Sequence, residues 1–109
     1  MGIVAKIDVL RSLAYTSTSS SYAAIGTPLA HPANAFRVIN NTDGDMFISD
    51  DGTNDKLFLA AGSFVLYDVA TNKVAPFNNL MQAAQTQFYV RQSSAPSKGS
   101  IYVEVIYQN

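Results

Sequence analysis

Residues 35–69, AFRVINNTDGDMFISDDGTNDKLFLAAGSFVLYDV, contain four short apolar segments cut apart by three turn signals, and this punctuation constrains the fold more than any other feature. The segments, 35–40, 46–50, 57–60 and 63–69, hold the β-branched and aromatic residues, which favour strands. Between them stand Asn-Asn-Thr-Asp-Gly-Asp, Asp-Asp-Gly-Thr-Asn-Asp and Ala-Ala-Gly-Ser, whose side chains bond their own backbone or allow a positive φ. The reading is a β-meander, four strands joined by successive hairpins. Phe36, Val38 and Asn40 alternate with Arg37 and Ile39, and Met46, Ile48 and Asp50 alternate with Phe47 and Ser49, so each strand has one face toward a core. Leu57-Phe58-Leu59-Ala60 and Phe64-Val65-Leu66-Tyr67 are instead continuous apolar runs. Such runs are expected to be covered on both faces, either in the interior or by a partner.

The flanking chain repeats the period of two. Ile3, Ala5, Ile7 and Val9 alternate with Val4, Lys6, Asp8 and Leu10, which predicts a strand at a sheet edge or making contacts outside the domain. A short helix over residues 4–14 competes, since Val4, Ile7, Leu10, Leu13 and Ala14 also form a helical stripe. Leu13, Tyr15 and Ser17 continue the extended pattern into a Ser/Thr run at 16–21 that favours a turn or an edge. Two prolines, Pro28 and Pro32, make residues 27–34 a crossing loop of the kind that carries a chain from one sheet to another. Asn72-Lys73 reads as a turn and residues 80–85 as one turn of helix at most. Strands return at 86–92 and at 101–107, where Ile101, Val103, Val105 and Tyr107 alternate with Tyr102, Glu104 and Ile106. The expected fold is all-β: a single antiparallel β-sandwich over residues 1–109, jelly-roll or Greek-key like, with seven to nine short strands and little helix.

Composition then excludes function classes. The seven Lys and Arg residues are scattered singly and the net charge is −1, so there is no electrostatic footprint for nucleic acid. No cysteine is present, which removes thiolate nucleophiles and Cys-ligated zinc. Lys6 and Asp8 interrupt the N-terminal apolar residues before a signal peptide or membrane span can form, so the chain is expected to be made in the cytoplasm without an export signal and to make no membrane contact. His31, the single histidine, lacks a neighbouring nucleophile or acid, the Ser run lacks a Gly-x-Ser-x-Gly frame, and Glu104, the single glutamate, stands mid-strand without a second carboxylate. The expectation is a protein that is not an enzyme and uses no cofactor.

Two groups remain as candidate sites. Asp43, Asp45, Asp51, Asn54 and Asp55 concentrate oxygen ligands of the hardness Ca²⁺ prefers, on two turns expected to be adjacent hairpin tips. Their spacing is not that of an EF-hand, and turn chemistry alone accounts for the same residues. Charged residues make up only 14% of the chain, a share that suits a protein burying surface in an assembly. Ile3, Val4, Ile7, Tyr67 and Tyr102 are the candidate interface residues, the tyrosines because a half-polar ring serves a protein or a sugar interface.

The strings Tyr22-Ala-Ala-Ile-Gly-Thr-Pro-Leu-Ala-His-Pro-Ala-Asn-Ala-Phe-Arg-Val-Ile-Asn-Asn-Thr-Asp, Ile48-Ser-Asp-Asp-Gly, Leu66-Tyr-Asp-Val-Ala-Thr-Asn-Lys and Thr86-Gln-Phe-Tyr-Val resemble small structural virion proteins of tailed bacteriophages. The resemblance implies a virion structural role, as a capsid decoration protein or a head-tail or tail adaptor, with capsid, portal or tail proteins and copies of itself as partners. A second expectation is a carbohydrate- or receptor-binding β-sandwich module of a phage fibre, with calcium as an optional support.

Overall fold

The alternation at residues 101–107 produces the strand on which the larger sheet is built. In the computed structural model, which describes residues 5–68, 73–75, 78–79 and 82–108, β11 (Gly99–Gln108) turns Ile101, Val103 and Val105 inward. On one side it pairs with β4 (Ala33–Thr42), through a register running from Gly99↔Thr42 to Tyr107↔Ala33 with a bulge between Ile106 and Tyr107. On its other side lie two short strands end to end, β1 (Ala5–Ile7) and β2 (Arg11–Ala14). β7 (Phe64–Asp68) closes the sheet against the far side of β4. The smaller sheet has the order β3 (Ala23–Ala24), β10 (Tyr89–Gln92), β5 (Met46–Ser49), β6 (Leu57–Leu59). β8 (Lys73–Ala75) and β9 (Asn78–Asn79) form a separate two-stranded ribbon.

All pairings are antiparallel, and four of them nest: β2 with β11, β3 with β10, β4 with β7, and β5 with β6. A doubled ribbon wrapped so that successive pairs fall alternately in two sheets is a jelly roll, so the expected all-β sandwich is what the chain forms. The meander is corrected. The first and fourth segments pair with each other in the larger sheet while the second and third pair in the smaller one, so the Asp43-Gly44 and Ala61-Gly62 turns are corners between sheets and not hairpin tips. Local turn chemistry is the same in both arrangements, which is why residues 35–69 fit either.

The core lies between the sheets. Ile25, Leu29, Phe36, Val38, Met46, Ile48, Leu59, Phe88, Val90, Ile101, Val103 and Val105 form one buried cluster with Ala33. Arg11 is buried beneath its own edge, where Nε donates to the Thr27 carbonyl at 2.7 Å and Nη2 to the Pro28 carbonyl at 3.1 Å, and its Nη1 meets the Asp8 carboxylate at 3.1 Å. A buried guanidinium with this many partners pins the crossing loop to the break between β1 and β2.

Four local expectations change. Residues 5–7 are a strand, as the period of two predicts, and no helix follows; Tyr15–Ser17 instead turn as one 3₁₀ unit. Gln82 bridges Ala33, and Gln85 takes φ of +70°, so the second half of the 80–85 segment is a turn; Leu80, Met81 and Asn72 lie outside the described residues. β6 and β7 are not covered on both faces, because they are the edges of their sheets: Phe58 is 54% exposed, Phe64 59% and Leu66 60%.

Candidate functional site

The two acidic turns stand at opposite ends of β5, which separates them by about 10 Å of strand. Each carboxylate is already committed. Asp43 accepts from the Ser97 hydroxyl and, at 2.6 Å, from its backbone N–H, and these bonds hold its pKa below the usual carboxylate value. Asp45 accepts from the Ala61 N–H at 2.9 Å and so joins the two corners between the sheets. Asp51 caps its own loop, accepting from the backbone N–H groups of Asn54 and Thr53, the Asn54 amide and the Ser49 hydroxyl, which together drive its pKa far down. Asp55 faces away, toward Arg91 and Tyr22. The calcium candidates are therefore not brought together, and among the described residues no three acidic or imidazole groups gather where a metal could sit.

Asp55 belongs to an arrangement that had no local signal, since its partners are 33 and 36 residues away. The Arg91 guanidinium pairs with the Asp55 carboxylate and lies over Phe47, 4.5 Å from the ring centroid, with Tyr22 on its other flank at 5.8 Å. Phe47 in turn meets Phe58 edge-on at 5.4 Å. This row of Phe58, Phe47, Arg91 and Tyr22 crosses the outer face of the smaller sheet. The Arg91 hydrogen bonds, followed by that of Tyr22, hold Asp55 down at about 2, while partial burial and then the Asp55 carboxylate push Tyr22 up to about 12.

The sign of each shift sets a pH window. A depressed carboxyl stabilises the fold above its unfolded value and loses that contribution as pH falls, so Asp55 stops contributing between about 4 and about 2. Tyr22, raised, contributes below about 10 and loses its contribution as pH rises to about 12. Ultraviolet titration is expected to show one phenol ionising near 12, and Asp55→Asn to return it toward 10. A Tyr22 transition that does not move in D55N would remove the carboxylate as its cause.

The outer face of the larger sheet is different in kind. Register places three rows of outward side chains across it: Ile7, Ile106, Ala35 and Asp68; then Glu104, Arg37 and Leu66; then Ser12, Tyr102, Ile39 and Phe64. Ile7 is 83% exposed, Leu66 60%, Phe64 59% and Ile106 41%, and Leu10, 53% exposed, stands at the break between β1 and β2 beside the middle row. At the centre, the Arg37 guanidinium and the Glu104 carboxylate form an ion pair at 2.6 Å, each side chain about two-fifths exposed, with Arg37 also 5.4 Å from the Phe64 ring centroid. A depression of about 410 Å³ opens over Ala35, walled by Ile7, Leu10, Leu66 and Ile106 and by the two charged residues. Of the interface candidates, Ile7 and Tyr102 lie on this face. Tyr67 points the other way, 5.5 Å from Phe36, and lines a second depression of about 260 Å³ between the sheets. Ile3 and Val4 lie outside the described residues. Phe64 and Leu66 belong to the face and were missed, although their place in a continuous apolar run was the available signal. His31, by contrast, stacks on Tyr107 at 4.2 Å with the rings parallel to within 5°, the packed loop residue its surroundings suggest.

No protein-family model, curated protein or solved structure matches the chain.

Proposed function

We propose that this protein is a non-enzymatic structural component of a tailed-phage virion, a capsid decoration protein or a head-tail or tail adaptor, that works through protein-protein contacts. The observation that carries the contact reading is the apolar outer face of the larger sheet, where Ile7, Leu66, Phe64 and Ile106 stand exposed around one ion pair. A small protein gains nothing by leaving such residues in water, and an exposed patch of this kind marks an interaction surface. Association with a virion rests on the resemblance of the strings from Tyr22 onward, and the fold agrees with it by analogy alone, since jelly rolls serve both shells and lectins. Mass spectrometry of purified particles tests it: the protein is expected as a stoichiometric component, and retention by immobilised capsid, portal or tail protein is expected to fall when Leu66 is replaced by Lys. Its absence from particles would sink the virion reading.

A second reading, a carbohydrate- or receptor-binding module of a fibre, is favoured by one observation, the aromatic row Phe58, Phe47 and Tyr22 on the smaller sheet. Aromatic faces receive sugar rings, and Asp55 and Arg91 are the polar groups beside them. Glycan arrays decide it: binding lost in Phe58→Ala would support it, and a blank array would leave the row as surface packing.

A further inference from the structure

We propose that the outer face of the larger sheet pairs with the same face of a second copy, about a two-fold axis that runs parallel to the strands between β4 and β11. The inference rests on reading this face as a contact surface and adds which partner covers it and in what orientation.

The argument is one of self-complementarity. In a two-fold interface each residue meets its counterpart's partner, so the pattern on one face must complement its own image. With the axis along the strands, β4 of one copy lies over β11 of the other, row on row. Arg37 then faces Glu104 of the second copy, and Glu104 faces Arg37, so the ion pair within each chain becomes a ring of four alternating charges. In the next row Ile39 faces Tyr102 and is faced by it in return. In the third, Ala35 faces Ile106, the smallest side chain of the row opposite a large exposed one, and the depression over Ala35 is where that isoleucine would seat. At the margin Leu66 reaches the column of Leu10. Tilting the axis by about 15° from the strands gives the roughly 30° angle at which packed sheets interdigitate.

Other registers fail on charge. An axis across the strands, through the middle row, would set Arg37 on Arg37 and Glu104 on Glu104. Moving it by one row would press both charges against apolar rows, where desolvation is uncompensated. The charges therefore select the orientation, as such groups do at interfaces, while the apolar rows supply the attraction. Four columns about 4.8 Å apart and three rows about 6.8 Å apart make a footprint of about 19 by 20 Å, at the small end for a stable complex. Association in the micromolar range is expected.

Sedimentation velocity on the full chain from about 1 μM to about 1 mM tests the proposal. The wild-type protein is expected to pass from monomer to dimer. Arg37→Glu and Glu104→Arg, each shown to be folded by circular dichroism, are each expected to weaken self-association by about 100-fold, because each places four like charges at the centre. Mixed at equal concentration, the two are expected to form a heterodimer: the introduced glutamate of the first would face the introduced arginine of the second, and the native Glu104 of the first would face the native Arg37 of the second. Recovery on mixing cannot come from repair within either chain, since each still carries two like charges. A wild-type protein that remains monomeric at about 1 mM, or variants that stay monomeric on mixing, would overturn the proposal. Ile106→Glu separates this failure from failure of the contact reading. If the wild type is monomeric but Ile106→Glu loses binding to virion proteins, the face serves another protein; if binding is untouched, both readings fall.

Discussion

Replacing Asn40 by Ala is expected to destabilise the protein by about 3–4 kcal/mol, or to lower its melting temperature by about 15 °C, although the side chain touches no candidate site. Asn40 is completely buried on the inner face of β4, at a position the alternation assigns to the core. Its Nδ2 donates to the carbonyls of Gly44 at 2.9 Å, Leu59 at 3.0 Å and Ala60 at 3.2 Å, and its Oδ1 accepts from the Thr42 hydroxyl at 2.7 Å and the Thr42 N–H at 3.2 Å. Gly44 belongs to the corner that leaves the larger sheet, and Leu59 and Ala60 to the corner that returns to it. One amide thus fastens both crossings of the nested pair. Alanine removes the partners of several buried backbone groups at once and leaves a void too small and too poorly lined for water to repair all of them. Asn40→Asp, of the same size, is expected to be at least as damaging, because it removes both donors and buries a carboxylate against three carbonyl oxygens. Denaturant unfolding of the two variants checks this. A loss below about 1 kcal/mol in both would show that the corners hold without the amide.

Asn40 also marks how far the fold was legible. Phe36 and Val38 at one end of β4, and Ile101, Val103 and Val105 on β11, declare their inward faces through alternation, and the core contains them all. Alternation is a property of one strand, however, and says nothing about which strand lies beside it. A hairpin and a crossing between sheets use the same Asp, Asn and Gly, so Asn-Asn-Thr-Asp-Gly-Asp supports either. What decides between them is a set of hydrogen bonds from residue 40 to residues 59 and 60, a separation at which no local pattern operates.

The candidate surfaces were legible to a similar depth. The run Phe64-Val65-Leu66-Tyr67 signals that both faces of a strand prefer cover, and the inner face obtains it from the core, where Val65 packs. The outer face obtains none from this chain. Sequence registers the demand for cover, and only topology reveals that β7 is an edge strand whose outward residues form one surface with Ile7 and Ile106. The acidic turns err in the opposite direction: proximity along the chain suggests a shared ligand, but β5 runs between them and backbone N–H groups take up the carboxylates. Both departures follow from reading a three-dimensional neighbourhood off a one-dimensional one.

Gly99→Ala is expected to be the most damaging single methyl the chain can receive, at about 4 kcal/mol or more. Gly99 opens β11 with φ of +96°, and an ideal Cβ there would stand 1.9 Å from the Asn41 carbonyl oxygen and 2.9 Å from the Thr42 Cα. Both obstacles are backbone atoms of β4, so no side chain can rotate away to make room. The strands must separate at the Gly99↔Thr42 pair, at the very place where β4 approaches the corner that Asn40 fastens. Gly62→Ala provides the control. Gly62 has φ of +74° but nothing lies within 4 Å of its would-be Cβ, so alanine there incurs only the backbone penalty, about 1 kcal/mol. The difference between the two variants in chemical denaturation isolates the steric part, because both remove the same glycine freedom from the unfolded chain. If G99A and G62A fall by equal amounts, β4 and β11 can part without loss at their shared end, and the tight pairing there is not what holds the two central strands in register.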